Sequence, residues 1–157
     1  MTEEIIINKL KELSGGKIIE AVNPSTKRIY IKVLPENLIE VISVLKEKLN
    51  FLHLSTITGV DKGQTFEILY HFASKDSVLT VRTEVPRDKP EIKTITSIIP
   101  GSILYEREIQ DMFGIKVLEI PDPRPLLLPD DWPSGVCPLR KDFKYQRPEE
   151  IIPGGNK

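Results

Sequence analysis

The chain has 157 residues, 39% of them apolar, enough for one domain around a single hydrophobic core. Its 22 basic and 23 acidic side chains leave a net charge of -1, which removes the electrostatic reason to expect nucleic acid or an anionic membrane surface as a direct partner. Cys137 is the only cysteine, so an internal disulfide is excluded and no iron–sulfur cluster or zinc ion can be held by cysteines alone. The chain is therefore expected inside the cell, with any metal chemistry carried by other proteins. The charged N-terminal stretch ending at Gly16 does not read as a signal peptide. No stretch approaches the roughly 18 apolar residues of a membrane span, so membrane association would be indirect. Charged residues reach 29% and isoleucine and lysine are abundant, a composition that fits a thermophile.

In chain order, Ile6, Leu10 and Leu13 line one face of a helix that Gly15-Gly16 stops. Residues 17–23 and 27–33 read as two strands around a turn at Pro24-Ser25, with Ile29, Ile31 and Val33 alternating inward. Pro35 opens a second helix, where Leu38, Val41, Ile42, Leu45 and Leu49 form an apolar stripe. Three strands follow, at 51–60, around Phe66, Ile68, Tyr70 and Phe72, and at 78–85, with Asp61-Lys62-Gly63-Gln64 as a turn between the first two. A helix is then expected from Asp88, with Glu91 in the capping-box position and Ile92, Ile95 and Ile99 on its apolar face, ending at Pro100-Gly101. Strand runs joined by tight turns, with helices between the runs, define an α+β fold of two layers: one mixed, mostly antiparallel sheet covered by helices.

Residues 102–113 predict a short helix, with Ser102 as N-cap and Gly114 as the left-handed stop. Tyr105, Ile109, Met112 and Phe113 share one face. Arg107 and Asp111 lie on the other with Glu108 close by, and Glu106 and Gln110 flank the Phe113 edge. Such a face is most simply a solvated charged surface. A catalytic reading would use Glu106, Glu108 and Asp111 as an acid/base pair, but no histidine, nucleophile or glycine-rich loop accompanies them. His53 and His71 lie on strands without metal-ligand spacing, Cys137 reads as a small buried or interface residue, and Gly154-Gly155 as a flexible end. Lys141, Lys144 and Arg147 near Tyr145 are offset by acidic neighbours and do not make a nucleic-acid site.

After Gly114 the composition changes. Residues 115–157 hold eight of the 13 prolines, a density that forbids helix interiors and central strands. They also carry Leu126, Leu127, Leu128, Trp132, Leu139, Phe143 and Tyr145, which a disordered linker would lack. The expected organisation is a domain over 1–114 and an extended partner-binding tail over 115–157.

Glu106-Arg107-Glu108-Ile109, followed by Asp111-Met112-Phe113-Gly114-Ile115, resembles the signature of the C-subunit family of complex I, the small subunits of its peripheral arm. Residues 54–61 (LSTITGVD), 66–72 (FEILYHF), 81–86, 126–132 (LLLPDDW) and 138–143 (PLRKDF) extend the resemblance, in the same order, across roughly 50–145. Leu104 stands where the family often has tryptophan, and Ile120 where it often has histidine. The resemblance implies a non-catalytic, cofactor-free structural subunit of a complex I-like membrane-associated oxidoreductase. It implies docking onto a large hydrogenase-like subunit beside a cluster-bearing small one, at the cytoplasmic side of the membrane. Iron–sulfur clusters and a nickel–iron centre would then belong to those partners. The interface it implies comprises Glu106, Arg107, Glu108 and Asp111 on the helix and Arg124, Leu127, Trp132, Leu139, Arg140, Lys141 and Phe143 on the tail. An archaeal ferredoxin-linked hydrogenase or sulfur-reducing complex coupled to ion translocation is placed ahead of a quinone- or methanophenazine-reducing dehydrogenase of the NADH or F(420)H(2) type. The reading from another class is a stand-alone small enzyme using the carboxylate pair.

Overall fold

The structure, a computed structural model, describes residues 2–144; Tyr145, Arg147 and Gly154-Gly155 lie outside the described residues. Helix α1 (Glu3–Leu13) leads into a hairpin of β1 (Ile18–Ser25) and β2 (Arg28–Val33). A 3-10 turn (Pro35–Asn37) runs into α2 (Leu38–Leu49), which ends on Asn50 in the left-handed region. Strands β3 (His53–Asp61), β4 (Thr65–Ala73) and β5 (Val78–Pro86) follow, then β6 (Glu91–Lys93), a 3-10 turn (Pro100–Ser102), α3 (Ile103–Phe113) and β7 (Lys116–Leu118).

The main sheet has the order β1-β2-β5-β4-β3, with β2 and β5 parallel and the other pairs antiparallel. Alternation decides which face is covered. Ile29, Ile31 and Val33 of β2, Leu79, Val81 and Val85 of β5, and Phe66, Ile68, Tyr70 and Phe72 of β4 are buried on one face. The helices add Ile6, Leu10, Leu38, Val41, Ile42, Leu45, Ile109 and Phe113 to the same apolar cluster. The opposite face carries polar and ionic side chains, in which Glu84 accepts from both Lys32 and Lys62 and Glu67 pairs with Arg82. The architecture is the α+β, mixed-sheet fold expected from the sequence.

Three local expectations are corrected. The hairpin turns at Thr26-Lys27 rather than Pro24-Ser25: Ser25 pairs with Arg28, and Lys27 takes the positive φ of 64°. Pro24 is tolerated inside β1 because β1 is an edge strand with a register irregularity between Val22 and Ser25. The helix expected from Asp88 is absent. Ile92, Ile95 and Ile99 are buried as their spacing requires, but β6 pairs in parallel with β7, Ile92 opposite Val117, and tight turns follow. A strand partner more than twenty residues downstream overrides the local helical period. Ser102 makes no side-chain cap; the preceding 3-10 turn starts α3 instead. Just after Gly114, β7 pairs with β6 in a separate two-stranded sheet.

Gly59 in β3 leaves room for the Phe113 ring: a Cβ there would lie 2.5 Å from the ring. Gly59→Ala is expected to cost about 1–3 kcal/mol of stability by overpacking, measured by urea denaturation, and Gly59→Ala with Phe113→Leu to lose less than the sum of the two single changes.

Candidate docking site

Helix α3 carries two polar stripes, each made of residues four apart, which therefore sit one above the other. Glu106 and Gln110 form one, and both bind backbone of the domain. Glu106 is only 1% exposed. Its Oε1 accepts the Ile95 amide at 2.7 Å and its Oε2 the Thr94 hydroxyl at 2.6 Å. Gln110 Oε1 accepts the Val117 amide at 3.1 Å, which ties β7 to the helix. Glu106 thus lies away from the surface and holds neither the tail nor anything outside. It takes up an amide that the expected 88–99 helix would have used internally.

Arg107 and Asp111 form the second stripe, and both bind the proline-rich segment. Arg107 donates to the carbonyls of Arg124 at 2.7 Å and Pro125 at 2.9 Å, with Asp122 at 3.4 Å. Asp111 Oδ2 accepts the amides of Leu126, Leu127 and Leu128 at 2.8, 2.8 and 3.3 Å. The cation takes carbonyls and the anion takes amides along one continuous stretch, so the two side chains grip the segment rather than each other. These are charge-assisted bonds, stronger than neutral ones. Arg124 returns its guanidinium to Asp122, whose carboxyl is thereby held well below the usual range.

The segment then caps the helix. The last carbonyls of a helix have no internal partner. Here the Met112 carbonyl accepts the Leu139 amide at 3.1 Å and the Phe113 carbonyl accepts Arg140 Nε at 2.6 Å. The Arg140 charge also opposes the negative end of the helix dipole. Gly114 makes the close approach possible: its φ is +67°, and a Cβ would lie 2.6 Å from Arg140 Nη2 and 2.8 Å from Cys137 Sγ.

A last clamp lies at the end of β3. Buried Asp61 accepts Arg87 Nη1 on both oxygens at 2.8 Å, the Gly63 amide at 2.8 Å and the Lys141 amide at 2.9 Å. Arg87 also reaches Asp142 at 2.9 Å. The guanidinium carbons of Arg87 and Arg140 lie 5.0 and 5.1 Å from the centre of the Phe66 ring, a cation–π arrangement. Burial works against the Asp61 charge, but Arg87 and the two amides outweigh it and hold the carboxyl at about 2. A depressed pKa contributes stability that is present above the unfolded value and lost only as pH falls through the folded one. The Asp61 contribution is therefore expected to decline between pH 3.8 and about 2.

Of the interface residues expected from the sequence, Leu127 and Leu139 are 56% and 55% exposed. Lys141 and Arg124 are also exposed, while Glu108, Trp132 and Phe143 are partly buried. The interface expected from the sequence did not include Asp61, Arg87, Phe66 or Thr94; Asp61 and Phe66 fell within stretches carrying the resemblance and Asp61 opened a turn, but nothing local showed that they meet the proline-rich segment. The His71 ring sits between the hydroxyls of Thr58 and Thr80 at 3.3 and 3.0 Å, and burial lowers its pKa. Burial raises the Cys137 thiol. Among the described residues no group of three or more His, Cys, Asp or Glu side chains converges as metal ligands, and no helix is long and apolar enough to cross a membrane.

The fold and site define a small α+β module in which Glu106, Arg107, Gln110 and Asp111 of one helix bind the chain's own backbone. The chain belongs to the family described as the respiratory-chain NADH dehydrogenase 30 Kd subunit, which it matches over residues 31–149. It is 38% identical to the C subunit of the F(420)H(2) dehydrogenase of Methanosarcina mazei, over 92% of this chain and 93% of that one. It is 30% identical to the membrane-bound hydrogenase subunit beta of Pyrococcus furiosus, over 95% and 90%. Among solved structures it resembles a chain of the membrane-bound sulfane sulfur reductase, an archaeal respiratory membrane complex, with TM-score 0.80 and 27% identity over 90% of this chain and 85% of that one.

Two outcomes are expected. Burial raises the Glu106 pKa above its ordinary 4.5, against the opposing bonds from Ile95 and Thr94. The stability linked to its protonation is full below the unfolded value and lost as pH rises through the folded one. Native protein should therefore lose stability relative to Glu106→Gln as pH rises from 4.5 toward neutrality, read by urea denaturation; parallel curves would count against a buried, titrating Glu106. Asp111→Ala should speed amide exchange at 126–128 roughly tenfold or more, leaving β4 and β5 protected.

Proposed function

We propose that this chain is a non-catalytic structural subunit of a complex I-like, membrane-associated oxidoreductase. It docks onto a large hydrogenase-like subunit, beside a cluster-bearing small one, on the cytoplasmic side of the membrane. The observation that carries this reading is the segment laid along α3. Its backbone is held by Arg107, Asp111 and Asp61, while Leu127 and Leu139 are more than half exposed. A backbone fixed from beneath with apolar side chains on top is a pre-organised docking ridge, and pre-organisation lowers the ordering cost of association. Iron–sulfur clusters and a nickel–iron centre belong, in this reading, to the partner subunits.

Within it, a ferredoxin-linked hydrogenase or sulfur-reducing complex of archaeal type coupled to ion translocation is supported by the likeness to the sulfane sulfur reductase chain. The 38% identity to an F(420)H(2) dehydrogenase subunit favours the second reading, a dehydrogenase of that type. Isolation of the native complex separates them: the metal ligands of the large subunit and the acceptor it reduces name the reaction.

Leu127→Asp with Leu139→Asp should leave stability within about 0.5 kcal/mol, because both positions are exposed. Co-purification with the large subunit should fall at least about tenfold. Undiminished recovery would move the docking surface elsewhere, the polar face of the sheet being the next candidate.

A further inference from the structure

Between α3 and the proline-rich segment lies a cleft of about 350 Å³, with Asp111 on the helix side and Leu128, Asp130, Trp132 and Val136 on the segment side. We propose that this cleft is an anchor site for one basic side chain, arginine or lysine, of the subunit onto which this chain docks. The proposal rests on the docking reading above.

Several observations converge on a cationic occupant. The cleft lining includes two carboxylates, Asp111 and Asp130, and no lysine or arginine. The nearest cations are already engaged: Arg107 by the carbonyls of Arg124 and Pro125, Arg140 by the Phe113 carbonyl and the Phe66 ring. Asp111 spends Oδ2 on three amides, whereas its Oδ1 and both oxygens of Asp130 accept no hydrogen bond from any described residue. Apart from Asp130 and Ser134, the segment side is mostly apolar. Trp132 is fixed by its Nε1 donating to the Val136 carbonyl at 2.8 Å, and Pro125, Pro129 and Pro133 stiffen the backbone around it.

A long side chain with an aliphatic stem and a charged head matches both walls. The stem lies along Leu128 and Trp132, and the head meets Asp111 and Asp130. A guanidinium gains further from the indole face. An apolar occupant would desolvate two carboxylates without compensation, and an acidic one would be repelled. Pro125 and Leu128 of the cleft lining flank the exposed Leu126 and Leu127, so a partner seated on the ridge can reach it. Most of its wall is the segment itself, so the pocket depends on Asp111 holding residues 126–128.

The experiment has two arms. In the first, the full chain is titrated with three blocked tripeptides, Gly-Arg-Gly, Gly-norleucine-Gly and Gly-Glu-Gly, with emission read from Trp132, the only tryptophan. The arginine peptide should shift the emission with a Kd on the order of millimolar, and Asp130→Asn should abolish the shift. A norleucine peptide that matches it, or no shift from any peptide, overturns the proposal. In the second, Asp130→Lys is assembled in the native complex. Retention should fall at least tenfold in moderate salt relative to wild type. Equal retention overturns the anchor and leaves docking intact. Absence of the wild-type chain from the complex removes the docking reading, and the anchor with it.

Discussion

Asp111 concentrates three backbone amides on one carboxylate oxygen, and the course of the chain after β7 follows from that contact. With residues 126–128 fixed there and 124–125 fixed by Arg107, the segment is aligned along α3 and arrives at its C-terminal end in register to cap it. Capping in turn sets Lys141 against Asp61. Each contact is modest in isolation. Their order along one strand of chain makes them cooperative, because fixing one lowers the entropy lost in forming the next.

The same helix looks both ways. Glu106 and Gln110 bind the loop after β6 and the start of β7, so the side of α3 opposite the segment is anchored as firmly as the segment itself. Phe113 closes the arrangement by packing over Gly59 and edge-on to Phe66, at 6.1 Å between ring centres. A charged signature that reads, in one dimension, like a reactive cluster is in three dimensions a set of backbone receptors.

Legibility in the sequence followed the range of the interactions. The α2 stripe and the alternation in β2, β4 and β5 are local patterns, and the structure realises them. The break at Asp61-Lys62-Gly63 is local too, and Asp61 does bind the Gly63 amide. The segment 88–99 misled because Ile92, Ile95 and Ile99 satisfy a helical period while their burial is imposed by β7. Glu106 is the hardest case. Its neighbours Arg107 and Glu108 are charged, so a surface position is the natural inference. Only the distant Thr94 and Ile95 explain a carboxylate in the interior. The composition of the proline-rich segment indicated an ordered chain with apolar side chains lying on a surface. Which backbone groups Arg107 and Asp111 would take was not legible, because it depends on how residues 124–128 run along the helix.

The placement of Gly114 bears on how long the chain survives intact. Loose segments of a protein are the substrate of proteases. The missing side chain at Gly114 lets Arg140 close down on the end of α3. That closure keeps residues 122–142 folded back on the helix, where a protease would need to lift several bonded amides before cutting. One absent methyl group thus shields the proline-rich segment from cleavage.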